Sequence, residues 1–426
     1  MNATAARAHP HADAPSRAAG GFATAVLTLF VGSQVLAGVL RWLLGKVGLA
    51  PAIYLPTALL WANVAWIALQ RILRNDLSMS ALALAGAMTL GVLVGCLSLE
   101  TKQVAFGAWV LTPLVYGYAI GGAFDLSHPA VRAGAGIALL VACLGVFGDD
   151  SIRYPWVGAN FELAGKEITG SRDWNIGEHR RLAGFSRSSF DAAGQITVFA
   201  VLVNAGMRLR LLRLMIWALA IAGVAYTTAR GVLVSMFVAM AVIESPRALQ
   251  RLAAMGATGL GLLWMSLPPL LAWTVDFSQI ARLLLKASYG SYLDRMANMW
   301  PEALQLLAGA PLPPLGRGIG GIGAAQTLFE PDRFNAADNL LVYQGVALGA
   351  LALPLVAVFM LGTFRRATRF APEQAPLCAF GLIVIWYGAV SNIVEHPILA
   401  VAYGIVLARA FSSLSAHPTS LRSSPS

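Results

Sequence analysis

Apolar runs follow one another along almost the whole chain, and polar residues gather in the gaps between them. Most runs approach the roughly 20 residues that a helix needs to cross the hydrocarbon core of a bilayer. Twelve candidate spans result, centred within 22–40, 51–69, 80–98, 104–123, 132–148, 190–207, 214–229, 231–243, 255–274, 337–362, 377–392 and 396–412. The pattern predicts an all-α polytopic membrane protein with about twelve transmembrane helices in a single domain over 22–412. Residues 1–21, rich in Ala, His, Pro and Ser, read as a disordered tail, and 413–426 as a second short tail. Two connections are long, about 148–189 and 275–336; long connections in a compact protein are usually functional or disordered. The second carries a helical stripe, with Tyr292, Met296, Met299, Trp300, Ala303, Leu304 and Leu307 on one face. It predicts an amphipathic helix on the membrane surface or over a cavity, with a kink or a fresh helix start at Pro301.

Charge in the short connections orients the spans. One side, with both tails, collects Arg7, Arg17, Arg71, Arg74, Arg132, Arg208, Arg210, Arg213, Arg247, Arg251, Arg365, Arg366, Arg369, Arg409 and Arg422. Only five acidic residues share that side. The other side balances fifteen basic residues against fifteen acidic ones. Both termini are therefore expected in the cytosol, and both long connections outside it. The net charge of +10 is then a topological signature and gives no reason to expect a nucleic-acid partner. Composition agrees: 58% hydrophobic residues, 12% charged and a mean hydropathy of +0.68 exclude a water-soluble globular domain. Cys96, Cys143 and Cys378 all lie inside apolar runs and form neither a disulfide set nor a zinc site.

The ionisable residues beside the spans are the candidate chemistry. Arg230 separates two apolar stretches in Tyr226-Thr227-Thr228-Ala229-Arg230-Gly231, a turn too tight to carry it far into water. Such a residue marks a functional site by default, the alternative being an ion pair with a neighbour such as Glu395. The first long connection is dense in charge and ends in Arg180-Arg181-Leu182-Ala183-Gly184-Phe185-Ser186-Arg187, placing guanidinium groups beside a helix start. Arginine forks match phosphate oxygens, and a helix N-terminus adds positive partial charge; a solvated mixed-charge loop is the plainer alternative. The second connection carries Asp294-Arg295, then the Gly-rich Leu315-Gly316-Arg317-Gly318-Ile319-Gly320-Gly321-Ile322-Gly323. Glycines there would let backbone approach a ligand, or would simply keep a loop flexible. No Gly-Lys-Ser/Thr follows, so it is not a nucleotide-binding P-loop. Asp338 and Asn339 stand at the mouth of the next span, where both residue types also cap helices well. Glu395 and His396 share the last outer turn, before a proline-started helix.

Taken in order, these segments resemble the O-antigen ligase and polymerase superfamily of bacterial envelope glycan assembly. The resemblance runs from about Arg180 to Gln344. It rests on Arg181-Leu182-Ala183-Gly184-Phe185, Thr228-Ala229-Arg230-Gly231, Arg295 with Trp300, Leu315-Gly316-Arg317-Gly318, and Asp338-Asn339-Leu340-Leu341. It implies a membrane-embedded, GT-C-like glycosyltransferase of the bacterial inner membrane, working at the periplasmic face. The donor would be a glycan on undecaprenyl pyrophosphate, transferred with inversion and without a metal or other cofactor. Arg181, Arg230 and Arg295 would clamp the leaving pyrophosphate. Arg180, Arg187, Arg317, Asn339, Glu395 and His396 would complete the substrate site. Asp338 stands where the ligase branch carries a histidine, which favours the polymerase branch; His396 or Glu395 would be the alternative general base. Membrane lipid, chain-length regulators and export proteins are the implied partners. The competing expectations are a ligase moving the glycan to lipid A-core or protein, and, from another class, a polysaccharide transporter or flippase.

Overall fold

A computed structural model of the chain describes residues 17–163, 166–176, 179–277 and 290–415. The expected tails fall mostly on residues 1–16 and 416–426, outside the described residues, and helix already runs from Arg17. Helix is present at each of the twelve apolar segments. Five helices among the described residues are long and apolar enough to cross a membrane, or up to seven if each of two bent pairs is one span. The helical membrane architecture is thus visible, while several segments fall short of a spanning length. Ser189–Asn204, Arg230–Glu244 and Ala375–Gly388 have 16, 15 and 14 residues. The first and last of these are buried along nearly their whole length, so their neighbours are other helices more than lipid. That environment accounts for their apolar sequence without requiring each to span a bilayer alone.

The two bent pairs have identifiable causes. Thr101–Val110 and Thr112–Gly121 meet at 40°, with Pro113 in the first turn of the second helix, where its missing N–H interrupts the ladder. Gly21–Val35 and Ala37–Lys46 meet at 81°. Just past that break, Gly38 donates its N–H to Phe185 O at 2.8 Å. A Cβ on Gly38 would lie 2.8 Å from Ser186 O and 2.9 Å from the Trp156 ring, so returning loop backbone packs directly against the bend.

The first long connection is not a loose loop. Two antiparallel hairpins form in it, Asn160–Leu163 with Lys166–Thr169 and Trp174–Ile176 with His179–Arg181. These short strands are confined to the connection and leave the chain predominantly helical. Trp156 stacks on Tyr154 at 4.4 Å and donates Nε1–H to Gly184 O at 2.9 Å, joining the segment before the strands to the segment after them. The second connection contains the expected amphipathic helix. Gly290–Asp294 leads through a π-helical turn, Arg295–Met299, into Trp300–Ala308, with Pro301 in the first turn of the fresh helix. Trp300 is fully buried and donates to Ala337 O at 2.8 Å, while Tyr292 stacks flat on Trp264 at 5.1 Å. The stripe therefore packs onto the Arg247–Thr274 helix and caps the bundle.

The Gly-rich segment is buried between helices. Gly316, Gly318 and Gly320 have φ of 86°, 87° and 90°, and a Cβ on Gly318 would sit 2.2 Å from Gly95 N. Ile319 N–H bonds to Gly91 O, and Arg317 N–H to Val346 O. Its glycines serve close backbone-to-helix approach, a use that composition alone does not distinguish from ligand contact.

Candidate active site

Arg230 opens the helix Arg230–Glu244, after a turn of three residues. Thr227 Oγ1 builds that turn, donating to Val224 O at 2.6 Å and accepting from Ala229 N at 3.3 Å. Thr228 is held at φ 56°, a left-handed conformation that a β-branched residue rarely adopts. Its reward is contact: Arg181 donates Nε–H to Thr228 Oγ1 at 3.0 Å, and its Nη2 reaches Thr228 O at 3.4 Å. The same guanidinium lies 4.2 Å from the centre of the Phe190 ring. Arg181 can point here because its strand neighbour Arg180 points the other way, as successive strand residues do. Arg180 pairs with Asp149 Oδ1 at 2.7 Å, and Asp149 Oδ2 also accepts from Ala183 N and Gly184 N. Arg180 therefore pins the connection and Arg181 is the member of the pair that faces the cluster.

Arg295 donates Nε–H to Asp338 Oδ2 at 2.9 Å and Nη2–H at 2.7 Å. Arg295 opens the π turn Arg295–Met299, and single π turns are frequent at functional sites. Ala337 and Asp338 follow each other at φ 61° and 40°. Two consecutive non-glycine residues in the left-handed region store backbone strain, which persists only where surroundings over-determine it. Trp300 Nε1–H on Ala337 O and Asn335 Oδ1 on Ala337 N do so here.

Arg181 is the point where these segments meet. Burial lowers its pKa from the ordinary arginine value, and the neighbouring cations Arg295 and Arg230 add to that, against Tyr387 and Asp338. Arg230, Arg295 and Asp338 thus each act on Arg181 through space, although the four residues come from four separate parts of the chain. Arg230 is exposed at a helix N-terminus that has no acidic residue in its first turn, so the macrodipole adds to the positive field.

The remaining sequence candidates divide. Asn339 is fully buried; its Oδ1 caps Leu341 N and Val342 N, and its Nδ2 donates to Met265 O and Ala389 O. Its polar atoms are all in use, so Asn339 holds Asp338 in place and is not itself available to a substrate. Arg317 is buried, paired with Glu330 at 2.7 Å and bonded to Gly321 O at 2.6 Å. It too is removed from the substrate site, because the glycines around it are packed against helices. Arg187, Glu395 and His396 form a second cluster. Arg187 pairs with Asp191 Oδ2 at 3.1 Å, and His396 Nδ1 bonds Asp191 Oδ1 at 2.9 Å. Glu395 Oε1 accepts from Ala324 N at 2.6 Å. Burial pushes the Glu395 pKa up to about 7, against the Ala324 N–H, His396, Arg187 and Arg172. These neighbours, and not a pair with Arg230, define its surroundings.

Phe190 separates the two clusters: Arg181 lies on its ring, and the His396 ring stands 6.2 Å away. Besides Thr228, which lies in the Thr228-Ala229-Arg230-Gly231 segment, three residues that act on these clusters are not among the sequence candidates: Tyr387 on Arg181, Asp191 on Arg187, and Arg41, which faces Arg187 and Asp191. Tyr387 is an ordinary aromatic in an apolar run. Asp191 and Arg41 are lone ionisable residues within apolar stretches, the one mark by which a sequence could have flagged them. Among the described residues no group of three or more His, Cys, Asp or Glu converges in a way that could hold a metal ion. Neither protein-family models nor curated proteins give a match to this chain.

Proposed function

We propose that this chain is a polytopic glycosyltransferase of the bacterial inner membrane that polymerises oligosaccharide repeat units carried on undecaprenyl pyrophosphate. In this reading the twelve helical segments form a GT-C-like membrane domain, and both clusters face the periplasm. The observation that carries the reading is the pairing of Arg295 with Asp338 in the electrostatic neighbourhood of Arg181, which Arg230 shares. A cluster of cations that includes one paired carboxylate suits a reaction in which a pyrophosphate departs and a hydroxyl loses its proton.

The acceptor hydroxyl of one lipid-linked unit attacks the anomeric carbon of the glycan on the other carrier. The new C–O bond forms as the bond to the pyrophosphate oxygen breaks, with inversion at carbon. The electron pair leaves with the pyrophosphate, whose charge the arginines stabilise. The hydroxyl proton passes to Asp338. Arg295 orients that carboxylate through two hydrogen bonds to Oδ2, leaving Oδ1 for the hydroxyl. His396 is a weaker choice of base, because its Nδ1 is committed to Asp191 in the second cluster.

The test is deletion of the gene, with lipid-linked glycan and surface polymer analysed together. Accumulated single repeats without polymer are expected. Long lipid-linked chains lacking their final anchor would make the protein a ligase. Repeats trapped at the cytosolic leaflet would make it a flippase and overturn the glycosyltransferase reading.

A further inference from the structure

Two cavities of similar size, about 390 and about 410 Å³, lie toward opposite ends of one seam between the helices Arg17–Val35, Leu55–Leu73 and Thr112–Gly121. The first lies at the end that carries the hairpins, and the second at the end that carries Arg71 and Arg74. Each helix meets the two cavities in the same way. Thr57 lines the first and Asn63 the second, with Leu60 between them. Pro113 and Ala119 do the same with Tyr116 between, and Phe30 and Thr24 with Leu27 between. Residues three apart share a helix face, so Leu27, Leu60 and Tyr116 stand between the cavities. The interval from Thr57 to Asn63 is roughly 9 Å of helix, at about 1.5 Å of rise per residue.

The partition is closed and apolar. Leu60 and Tyr116 are fully buried, and Tyr116 crosses the seam to donate its O–H to Ala23 O at 2.8 Å. On either side of it the walls hold polar atoms that are left over. Among the described residues the buried Oδ1 of Asn63 accepts no hydrogen bond, and the buried Nε–H of Arg41 has no acceptor. Buried polar groups of this kind are costly unless water or a solute meets them. Polar vestibules separated by a short apolar constriction are an arrangement by which channels gate.

Charge on the walls is balanced in number but not in placement. The first cavity is lined by Arg41, Arg172 and Arg187 against Glu167 and Glu395, with Asp191 paired to Arg187 behind them. The second is lined by Arg71 and Arg74 against Asp76 and Asp125, with His128 beside them. All four lining carboxylates stand outside the α-helices. The charges borne within the lining helices are both arginine, Arg41 and Arg71. Each donates to a backbone carbonyl, Arg41 to Thr169 O at 3.4 Å and Arg71 to Ala119 O at 3.1 Å. Rings and pairs of arginine along a pore favour anions.

We propose that this seam is a gated path for small inorganic anions, closed in this structure by Leu27, Leu60 and Tyr116. Arg41 and Arg71 select the ion on the two sides of the gate, and the Tyr116 hydrogen bond to Ala23 O latches it. Neither cavity is lined by Arg181, Arg230, Arg295 or Asp338, so the path stands apart from the proposed transfer and does not depend on it.

The experiment is chloride efflux from phosphatidylcholine liposomes that hold the full-length protein and potassium chloride, with valinomycin carrying the potassium. Leu60→Ala is expected to raise efflux about tenfold over the wild type by widening the constriction. Tyr116→Phe, which keeps the ring and removes the latch, is expected to give a smaller rise. Arg71→Gln added to Leu60→Ala is expected to lower chloride efflux several-fold. Efflux in Leu60→Ala and Tyr116→Phe no faster than in the wild type would overturn the path. Rubidium uptake through Leu60→Ala as fast as chloride efflux, measured without valinomycin, would overturn its anion selectivity. A second measurement leaves the gate intact. In a Cys96→Ser background, chosen because Cys96 is the exposed cysteine, Thr57→Cys and Asn63→Cys should react with an anionic methanethiosulfonate in detergent and Leu60→Cys should not. An unreactive Asn63→Cys would show a dry second cavity, and a reactive Leu60→Cys would show that no partition exists; either result overturns the proposal.

Discussion

The two arginine clusters on either side of Phe190 are built from similar parts in opposite ways. In the first, each charged residue is set beside a strained or irregular piece of backbone: Thr228 and Asp338 at positive φ, Arg295 in a π turn. In the second, the charges stand on ordinary backbone around a cavity, and Asp191 and Glu395 hold them through side-chain and backbone hydrogen bonds. The first arrangement fixes angles, which suits chemistry. The second leaves space, which suits binding. Backbone strain persists where position matters to a fraction of an ångström, whereas a cavity tolerates adjustment.

The comparison is broken most directly at Asp338. Asp338→Asn should reduce transfer by about 10²–10⁴-fold, the usual worth of a general base, in an assay of polymer formed from lipid-linked repeats. Expression and thermal stability should stay near wild type, since Asn adopts left-handed conformations readily and still accepts from Arg295. Near-normal polymer would remove Asp338 from the chemistry and move attention across Phe190. A smaller effect, on stability and not on chemistry, is expected at Asp191. Asp191→Asn removes the buried charge that faces Arg187 and His396, and should cost about 3 kcal/mol, read as a lower melting temperature in detergent.

Glu395 gives the second cluster a pH signature. Its folded pKa, about 7, exceeds its ordinary value of 4.5, so the folded state binds the proton more tightly than the unfolded chain. Its contribution is complete below pH 4.5 and is lost as pH rises through about 7, by an amount on the order of a few kcal/mol. The charged and polar groups facing it are the Ala324 N–H, His396, Arg187, Arg172 and Tyr343. Melting temperature followed from pH 4.5 to 8 should fall in the wild type more than in Glu395→Gln. Parallel curves for the two proteins would show that the carboxyl is ionised throughout. The smallest effect belongs to Ala337→Gly. Relief of its left-handed strain should stabilise the fold by about 1 kcal/mol while loosening the aim of Asp338, so stability should rise as turnover falls. A rise in both would mean that the strain there has no catalytic use.

Much of this was legible in the chain as written. Apolar runs located helix at all twelve segments, because burial in lipid and burial in protein both select the same residues. For the same reason they overstated how many helices are long enough to span. The stripe from Tyr292 to Leu307 and the fresh start near Pro301 followed from helical periodicity and from proline's missing N–H. Arg181, Arg230, Arg295 and Asp338 were each visible as ionisable residues at the ends of apolar runs. Arg317 and Asn339 looked the same and proved to be structural, because a sequence does not record which buried partner consumes a donor.

What the sequence determined by itself, then, is the membrane class, the helical segments and the short set of charges worth watching, since each follows from the local cost of placing a polar group beside lipid. Which charges meet was decided only in three dimensions. Arg180 and Arg181 part company through strand alternation, Arg317 is taken by Glu330, and Arg41, Arg172 and Arg187 come together around one cavity from segments more than a hundred residues apart. Those pairings depend on how helices bend and loops return, and the free energy that selects them belongs to the packed whole and not to any one stretch of chain.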